Sequence, residues 1–190
     1  MTNVTIIGTG NMGQAIAGLV TRGGNTAQIL GETDTDAVTG DIVVLAVPYA
    51  ALADVVATRG ASLAGRVVVD ITNPVDFATF DSLVVPADSS AAAELAAALP
   101  ESRVLKAFNT TFAATLATGT VGGLTTTVLI AGDDAHAKAQ LAEVVSAAGL
   151  NAIDAGPLRR ARELEAIGFA QISLAVGEKV SWAGGFGVAA

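Results

Sequence analysis

Short apolar segments alternate with alanine-rich amphipathic segments along the 190-residue chain. Several of the apolar runs are apolar at consecutive positions rather than at alternate ones. This pattern is typical of strands buried on both faces, as in a parallel sheet covered by helices. The seven predicted strands cover residues 4–8, 26–30, 41–47, 66–71, 103–108, 125–131 and 151–154.

Segments with helical spacing separate many of these strands. Met12, Ile16 and Leu19 share one face of a predicted first helix. Three more helices are predicted, the first two of them from capping residues. These helices are residues 91–99 after a Ser-Ser pair, a segment that Asp133 and Asp134 open and Gly149 closes, and a last helix from near Arg159 to about Val180.

The alternation of strand and helix predicts an α/β fold with a doubly wound, mainly parallel sheet. We interpret residues 1–190 as a single domain, with the sheet in 1–158 and a small C-terminal helical extension and tail in 159–190. The connection from Leu30 to Asp41 is polar and too short for the usual crossover helix. We therefore expect that helix to be lost or reduced to a single turn.

Composition excludes several classes of protein. The net charge is −8 and no basic run is present, so we expect no nucleic-acid or membrane-surface partner. No apolar run is long enough to span a bilayer, and no signal-peptide n-region precedes the first strand. The chain has no cysteine, which excludes disulfides and thiolate sites, and no histidine cluster that indicates a metal site. These features favour a cytoplasmic location.

The first predicted strand runs directly into Gly8-x-Gly10-x-x-Gly13, and a helix begins inside this motif. Gly8 permits the tight turn, Gly10 lets a pyrophosphate approach the backbone, and Gly13 lets the helix pack on the strand. Free N–H groups at the helix start then bind the anion. The motif predicts a dinucleotide site; the alternative is a glycine turn without a ligand.

Four other predicted strands also end in polar, proline or aromatic residues. The ends of parallel strands meet at one edge of the sheet, which favours a binding crevice over simple strand termination. The long segment 75–89 carries Phe77 and Phe80, which either cover a nicotinamide ring or belong to a satellite core. The four strand ends are Gly31–Thr33, Val47–Tyr49, Thr72–Pro74 and Phe108–Thr110.

The residues after the second strand bear on which dinucleotide is bound. Glu32 stands where an acidic residue takes a ribose 2′-hydroxyl, which favours NAD, although it can also point to solvent. Gly31 leaves room for a 2′-phosphate and Thr33 offers a hydroxyl, but no arginine or lysine follows. Charge alone gives NAD a slight advantage.

Four motifs together resemble the NADPH-dependent deazaflavin (coenzyme F-420) reductase family. They are Gly8-Thr-Gly-Asn-Met-Gly13, Ala46-Val-Pro48, Lys106-Ala-Phe-Asn-Thr110 and Asp154-Ala-Gly-Pro-Leu158. Related predicted dinucleotide-binding proteins and the cytosolic domain of six-transmembrane metalloreductases share the pattern, which extends to about Ala175. The resemblance implies a Rossmann NADP(H)-binding domain and direct hydride transfer between nicotinamide and a flavin-like ring.

The resemblance also implies roles for matching positions. Residues 9–12 would contact the pyrophosphate, 46–48 would border the nicotinamide half, 107–109 would flank the ring, and 156–158 would shape a second-substrate groove. The family's usual serine followed by arginine or lysine is replaced by Glu32 and Thr33. NADP(H) is nevertheless placed narrowly ahead of NAD(H). The full predicted cofactor-binding set is Gly8, Thr9, Gly10, Asn11, Met12, Gly13, Gly31, Glu32, Thr33, Ala46, Val47, Pro48, Asn73, Pro74, Ala107, Phe108 and Asn109.

No catalytic side chain is predicted, because hydride transfer between two rings needs orientation rather than a protein nucleophile. His136, in a charged helix start, is expected to face solvent. Tyr49 has no lysine four residues later, and Lys106 either reaches a ligand or forms a structural salt bridge. The predicted function is an NAD(P)H-dependent oxidoreductase with deazaflavin, FMN or FAD as acceptor. The alternative is a non-catalytic NAD(P)-binding module that senses redox state.

The C-terminal part offers fewer signals. Arg159, Arg160 and Arg162 either bind anionic groups or are structural, with Arg162 and Glu165 spaced as an i,i+3 ion pair. Trp182 and Phe186 in the glycine-rich tail either fold back on the groove or pack on a second subunit. Since the length leaves no large substrate domain, we expect a homodimer to complete the site.

Overall fold

Residues 1–189, which the computed structural model describes, form six helices and nine strands. The helices are α1 (Asn11–Arg22), α2 (Leu52–Leu63), α3 (Ala91–Ala98), α4 (Ala113–Thr118), α5 (Ala135–Ala147) and α6 (Ala161–Val176). The strands are β1 (Asn3–Ile7), β2 (Thr26–Leu30), β3 (Ile42–Leu45), β4 (Val67–Asp70), β5 (Arg103–Lys106), β6 (Thr120–Val121), β7 (Leu124–Thr125), β8 (Thr127–Gly132) and β9 (Asn151–Gly156).

Seven strands form one sheet in the order β2-β1-β3-β4-β5-β8-β9. The first five strands in this order, β2, β1, β3, β4 and β5, are mutually parallel. Strand β8 pairs antiparallel to β5, and β9 runs parallel to β8. The predicted doubly wound, mainly parallel α/β fold is therefore confirmed. All seven predicted strands are present, and their ends differ from the predicted ones by at most about two residues.

The consecutive apolar positions of the central strands supply two separate cores. In β3, Val44 faces a cluster that includes Ile16 of α1, whereas Val43 faces a cluster that includes Leu95 of α3. Successive side chains of a strand point to opposite faces, so a strand covered on both sides is apolar at every position. This covering leaves the carboxyl ends of the parallel strands as the accessible edge.

The predicted loss of the crossover helix between β2 and β3 is confirmed, since residues 31–41 contain no helix. Two arginines hold this segment in place by donating to its carbonyl groups. Arg66 donates to Val38 O at 3.1 Å and also to Gly40 O. Arg59 of α2 donates to Asp36 O at 3.1 Å.

Helix α6 begins at Ala161, after a single 3₁₀ turn, and ends at Val176, four residues before the predicted end. It passes close to the ends of β4 and β5. A Cβ at Gly168 would lie 2.2 Å from Asn73 Oδ1 and 2.9 Å from Asn109 O, so only glycine permits this approach. The helix thereby forms one wall beside the accessible edge of the sheet.

Candidate dinucleotide-binding cleft

The segments predicted to bind a ligand meet at the carboxyl edge of the parallel strands. The Gly8 N–H donates to Leu30 O at 2.8 Å, and the Ala46 N–H donates to Ile7 O at 2.8 Å. The Ala107 N–H donates to Asp70 O at 3.2 Å. The ends of β1 to β5 are therefore held side by side, which is the geometry of a ligand crevice in an open α/β sheet.

The three glycines of the motif lie in different structural surroundings. Gly8 has φ of +127°, and a Cβ there would lie 2.1 Å from Ala46 O. A Cβ at Gly13 would lie 2.2 Å from Gly8 O. By contrast, no described atom lies within 4 Å of the Cβ position at Gly10. The fold itself requires Gly8 and Gly13, whereas Gly10 borders open space.

The N-terminus of α1 has hydrogen-bond donors that the protein does not cap. Its N-cap residue is Gly10, no side chain caps it, and no acidic residue lies in its first turn. By contrast, Ser90 caps α3 at 3.0 Å and Asp134 caps α5 at 2.8 Å. Uncapped N–H groups at the positive end of a helix dipole, beside open space, fit a phosphate group.

The end of β2 lies next to the glycine turn. A Cβ at Gly31 would lie 3.4 Å from Thr9 Cγ2, and the Gly31 N–H donates to Asp34 Oδ2 at 2.7 Å. Glu32 and Thr33 are exposed. The Arg59 guanidinium lies on the same loop through its hydrogen bonds to the Asp34 and Asp36 carbonyls. Arg59 therefore brings a cation to the part of the loop that carries carboxylates, whereas Arg66 contacts the later residues Val38 and Gly40.

At the other side of the glycine turn lies a cavity of about 430 Å³. The start of α1 contributes Asn11 and Met12 to its wall, and the ends of β4 and β5 contribute Asn73 and Asn109. Trp182 of the C-terminal tail lies at its rim and is 54% exposed. The remaining lining residues are Ile71, Thr111, Phe112, Ala113, Ala114 and Ile172.

Two asparagines, the buried Asn109 and the partly buried Asn73, form a hydrogen-bonded pair in the wall of this cavity. Asn109 Nδ2 donates to Asn73 Oδ1 at 2.9 Å and to Leu164 O at 2.8 Å, and Asn73 Nδ2 donates to Asn109 O at 2.9 Å. The buried Oδ1 of Asn109 accepts no hydrogen bond from residues 1–189. A buried acceptor without a donor is uncommon in folded proteins, and here it fits a ligand that carries an N–H group.

The structure places some predicted residues differently from the resemblance. Phe108 has φ of +62°, and its side chain lies in the core at 1% exposure, so its ring is not available to flank a ligand. Residues 156–158 do not line the cavity, because β9 runs antiparallel to β1–β5 and ends elsewhere. Phe77 is 59% exposed and packs edge-to-face on Phe80, with ring centroids 5.6 Å apart; neither lines the cavity.

Lys106 lies in the interior of the sheet and forms a salt bridge, as one of the two interpretations predicted. Its Nζ lies 2.8 Å from Asp70 Oδ2, 2.8 Å from Glu165 Oε1 and 2.6 Å from Thr72 O, and all three charged side chains are fully buried. The predicted pairing of Arg162 with Glu165 is wrong, because Glu165 turns inward to Lys106. The other oxygen of Glu165 accepts the Ala91 N–H at 3.0 Å, at the start of α3.

The remaining polar candidates are not placed for proton transfer in the cavity. Tyr49 donates to Glu94 Oε2 at 2.6 Å, and this bond together with burial raises the pKa of Tyr49 to about 12. The phenol is therefore neutral at physiological pH. His136 is exposed, as expected. Among residues 1–189, no group of three or more potential metal ligands is present.

The burial of the Glu165 carboxyl group predicts that the stability of the protein depends on pH. Burial raises the pKa of Glu165 above its ordinary 4.5, and this outweighs the lowering by Lys106. The native state then binds a proton that the unfolded state releases, so stability falls as pH rises from 4.5 through the native pKa. In urea melts from pH 4.5 upward, Glu165→Gln should show a smaller fall than the wild type. An unchanged slope would contradict this assignment.

Other shifted carboxyl groups do not interfere with this measurement. The pKa values of Asp76 and Asp154 lie below their ordinary 3.8, since Asp76 accepts the Ala78 N–H and Asp154 contacts Lys138. Both groups are ionised in the native and unfolded states over the pH window used. Their contribution to the slope is therefore small there.

Comparison with known proteins identifies related sequences. Residues 25–74 match the family model described as NADP oxidoreductase coenzyme F420-dependent. The F420-dependent NADP reductase of Methanocaldococcus jannaschii is 32% identical over 149 residues, covering 76% of this chain and 66% of that protein. The metalloreductase STEAP3 of Rattus norvegicus is 38% identical over 105 residues, covering 55% of this chain and 20% of that protein.

Solved structures agree with the sequence relatives. A provisionally named F420-dependent NADP-reductase from Arthrobacter sp. FB24 has a TM-score of 0.86 at 25% identity, with both chains fully covered. A reductive aminase from Aspergillus terreus in complex with NADPH has a TM-score of 0.65 at 18% identity, over 94% of this chain and 62% of that one, which shows a shared fold. None of the helices in residues 1–189 has the length and hydropathy needed to cross a membrane.

Proposed function

The chain belongs to the coenzyme F420-dependent NADP oxidoreductase family, and on this premise we propose that it transfers a hydride between a nicotinamide dinucleotide and a flavin-like ring. The observation that carries the proposal is the uncapped start of α1 beside open space at Gly10, at the edge where five strand ends meet. That arrangement is suited to a pyrophosphate, with the two nucleotide halves extending to either side.

The predicted binding set divides naturally between these two halves. The turn residues Gly8–Gly13 hold the pyrophosphate through their backbone. Gly31, Glu32 and Thr33 contact the adenosine ribose, and Ala46, Val47 and Pro48 border the route to the nicotinamide. Asn73 and Asn109 form the far wall, where the Oδ1 of Asn109 is a buried side-chain atom that has no donor among residues 1–189. The other residues predicted for this half, Pro74, Ala107 and Phe108, are buried and do not line the cavity.

The protein contributes orientation and exclusion of water rather than a reacting side chain. When bound, the dinucleotide supplies hydride chemistry at its nicotinamide ring. Asn109 and Asn73 are fixed by their mutual hydrogen bonds and by Leu164 O, so the polar wall is preorganised. Apolar neighbours such as Ile71 and Ile172 limit the access of water to this cavity.

We propose NADP(H) ahead of NAD(H) as the dinucleotide. The M. jannaschii relative and the matching family model are both named for NADP, and Gly31 places a residue without a side chain at the end of β2. Of the two arginines that contact the 31–41 loop, Arg59 contacts the part nearer to Gly31 in sequence and can offset the charge of a 2′-phosphate. Fluorescence titrations with NADPH and NADH test this preference. We expect NADPH to bind more tightly and Arg59→Ala to reduce its advantage, whereas tighter binding of NADH by the wild type would reverse the assignment.

The acceptor is proposed to be a deazaflavin, with FMN or FAD as the alternatives, because the M. jannaschii relative is named as F420-dependent. Oxidation of NADPH followed at 340 nm with each ring compound identifies the acceptor. The alternative function is a redox-sensing module that binds the dinucleotide without turnover. Neither function needs a catalytic side chain, so turnover separates them: saturable NADPH binding with no turnover on any of the three acceptors would support the sensing module.

A homodimer remains our proposal for the assembly. Apolar side chains at Ile167, Leu174 and Phe186 are 37%, 37% and 47% exposed, and a second subunit would cover them. Light scattering over a range of concentrations tests this. A monomer mass at every concentration would argue against the dimer.

A further inference from the structure

The C-terminal tail, residues 177–189, brings an aromatic ring to the proposed site. Trp182 lies at the rim of the cavity that Met12 and Asn109 also line, and its ring is inclined 52° to Phe112 with centroids 4.9 Å apart. Phe112 is only half-buried, so the two rings form an aromatic edge of the cavity. More than half of Trp182 is still exposed.

The tail is held against the body of the protein by one buried side chain. Gln171 of α6 is 1% exposed, and its Oε1 accepts the Phe186 N–H at 2.8 Å while its Nε2 donates to Thr110 O at 3.4 Å. Gly185 has φ of +134°, and a Cβ there would lie 2.8 Å from Gln171 Oε1. The tail therefore follows a defined path from α6 to the end of β5 rather than trailing into solvent.

We infer that Trp182 is the stacking surface for the planar ring of the hydride acceptor, and that the tail is the strap that positions it. This inference rests on the proposed function. Direct hydride transfer requires two rings face to face, so the acceptor needs a support on its outer side. Trp182 offers the largest aromatic face at the rim of the cavity, and a tricyclic ring gains affinity by stacking on it.

Alternative uses of Trp182 fit the observations less well. A core residue of this size is normally buried, yet Trp182 is 54% exposed. The strand-end side of the cavity already carries the polar atoms suited to a carboxamide, namely those of Asn73 and Asn109. The aromatic edge is therefore assigned to the acceptor, and the wall that contains Asn73 and Asn109 is assigned to the dinucleotide.

Trp182 is the only tryptophan of the chain, so its fluorescence reports directly on this position. FMN and 5-deaza-FMN are titrated in turn in the presence of NADP⁺, which prevents turnover. We expect saturable quenching of Trp182 by at least one of the rings. The Kd of that ring, measured by its own fluorescence anisotropy, should rise about tenfold in Trp182→Ala and by less in Trp182→Phe.

Gly185→Ala separates the position of the tail from the presence of the aromatic ring. It keeps Trp182 but displaces the strap, so it should also weaken binding of the ring compound. In all three variants, NADPH affinity should change less than about twofold, and the exposed position of Trp182 predicts an unchanged melting temperature for its variants.

The outcomes distinguish this inference from the proposed function. An unchanged Kd for the ring compounds in Trp182→Ala, or the absence of quenching by either ring, would overturn the role of Trp182 even if NADPH is oxidised. An equal loss of NADPH and ring affinity would also overturn it, because Trp182 would then support the dinucleotide. Conversely, quenching by a ring without NADPH turnover would retain the stacking surface and remove the proposed reaction.

Discussion

Gly10→Glu is expected to abolish measurable binding of NADPH and NADH while the protein remains folded. No described atom lies within 4 Å of the Cβ position at Gly10, so a longer side chain enters open space without a collision. Its carboxylate then occupies the place proposed for the pyrophosphate and repels it. The Kd should rise by on the order of 100-fold, about 2.8 kcal/mol. Dinucleotide fluorescence titrations and a thermal melt measure the two properties separately.

The neighbouring glycines provide matched controls with the opposite behaviour. In Gly8→Ala and Gly13→Ala, the new Cβ would lie 2.1 Å from Ala46 O and 2.2 Å from Gly8 O. Both contacts are with backbone atoms, which move only if a strand or the turn moves. Overpacking of this kind costs about 1–3 kcal/mol or more. These two variants should therefore melt at lower temperature, whereas Gly10→Glu should melt like the wild type.

The different behaviour expected of the Gly10 and the Gly8 and Gly13 variants tests where the phosphate binds. If Gly10→Glu binds NADPH with wild-type affinity, the dinucleotide lies elsewhere and the proposed function loses its main support. If Gly10→Glu also unfolds, the space beside Gly10 is not open in solution. Gly10→Ala, which adds only a methyl group, should reduce affinity far less than the glutamate and leave the melting temperature unchanged.

Local signals in the sequence were sufficient for most of the fold. Consecutive apolar residues in the central strands predicted burial on both faces, and β3 indeed packs into both cores. The length and polarity of residues 31–41 were enough to predict the missing helix, because a crossover helix needs more chain than this segment has. Helices α2 and α4 were not among the helices predicted, because no side chain caps them and they lack the start signal that marks α3 and α5.

Features that depend on distant residues were not predictable in the same way. The i,i+3 spacing indicated a pair of Arg162 with Glu165, but Glu165 instead contacts Lys106, a residue far away in sequence. The buried contact of Glu165 with Lys106 replaces the local pair with Arg162, because an exposed ion pair on a helix contributes only about 0.2–0.5 kcal/mol. The apolar pattern of β8 likewise does not indicate in which direction this strand runs in the sheet. Because β8 and β9 run antiparallel to the other strands, residues 156–158 lie away from the cavity assigned to the ligand.

The candidate site also contains some features that local sequence signals predicted and others that depend on distant residues. The glycine motif and the strand ends predicted residues that the structure brings together at one edge of the sheet, since a parallel sheet always brings those ends together. The Asn73–Asn109 pair and the unsatisfied Oδ1 of Asn109 depend on the approach of α6 at Gly168, which no local pattern encodes. The tail illustrates this too: Trp182 was predicted either to fold back or to meet a second subunit, and within the chain it packs against Phe112.

The second large effect is expected from Lys106→Met, which should lower the free energy of unfolding by about 3–5 kcal/mol. The Lys106 Nζ is the cation for two fully buried carboxylates, Asp70 and Glu165, at 2.8 Å each. Methionine matches the length of lysine but leaves both carboxylates without a positive partner. One of them must then be protonated or hydrated, and either process favours the unfolded state. Urea denaturation at neutral pH measures the loss.

A second lysine in the same chain serves as the control. Lys138 lies 2.7 Å from Asp154 Oδ1, a similar distance, but the Asp154 side chain is 60% exposed. Solvent screens that pair, so Lys138→Met should cost less than about 1 kcal/mol. The two substitutions are chemically identical, and the difference between them isolates the effect of burial.

The double variant Lys106→Met with Glu165→Gln tests whether the cost arises from uncompensated charge. Removing one carboxylate relieves the repulsion left by the lysine, so the double variant should be more stable than Lys106→Met alone. If the two losses simply add, Lys106 acts through packing of its aliphatic chain instead. A loss in Lys106→Met as small as that in Lys138→Met would show that the buried cluster is open to water, contrary to the burial of all three side chains.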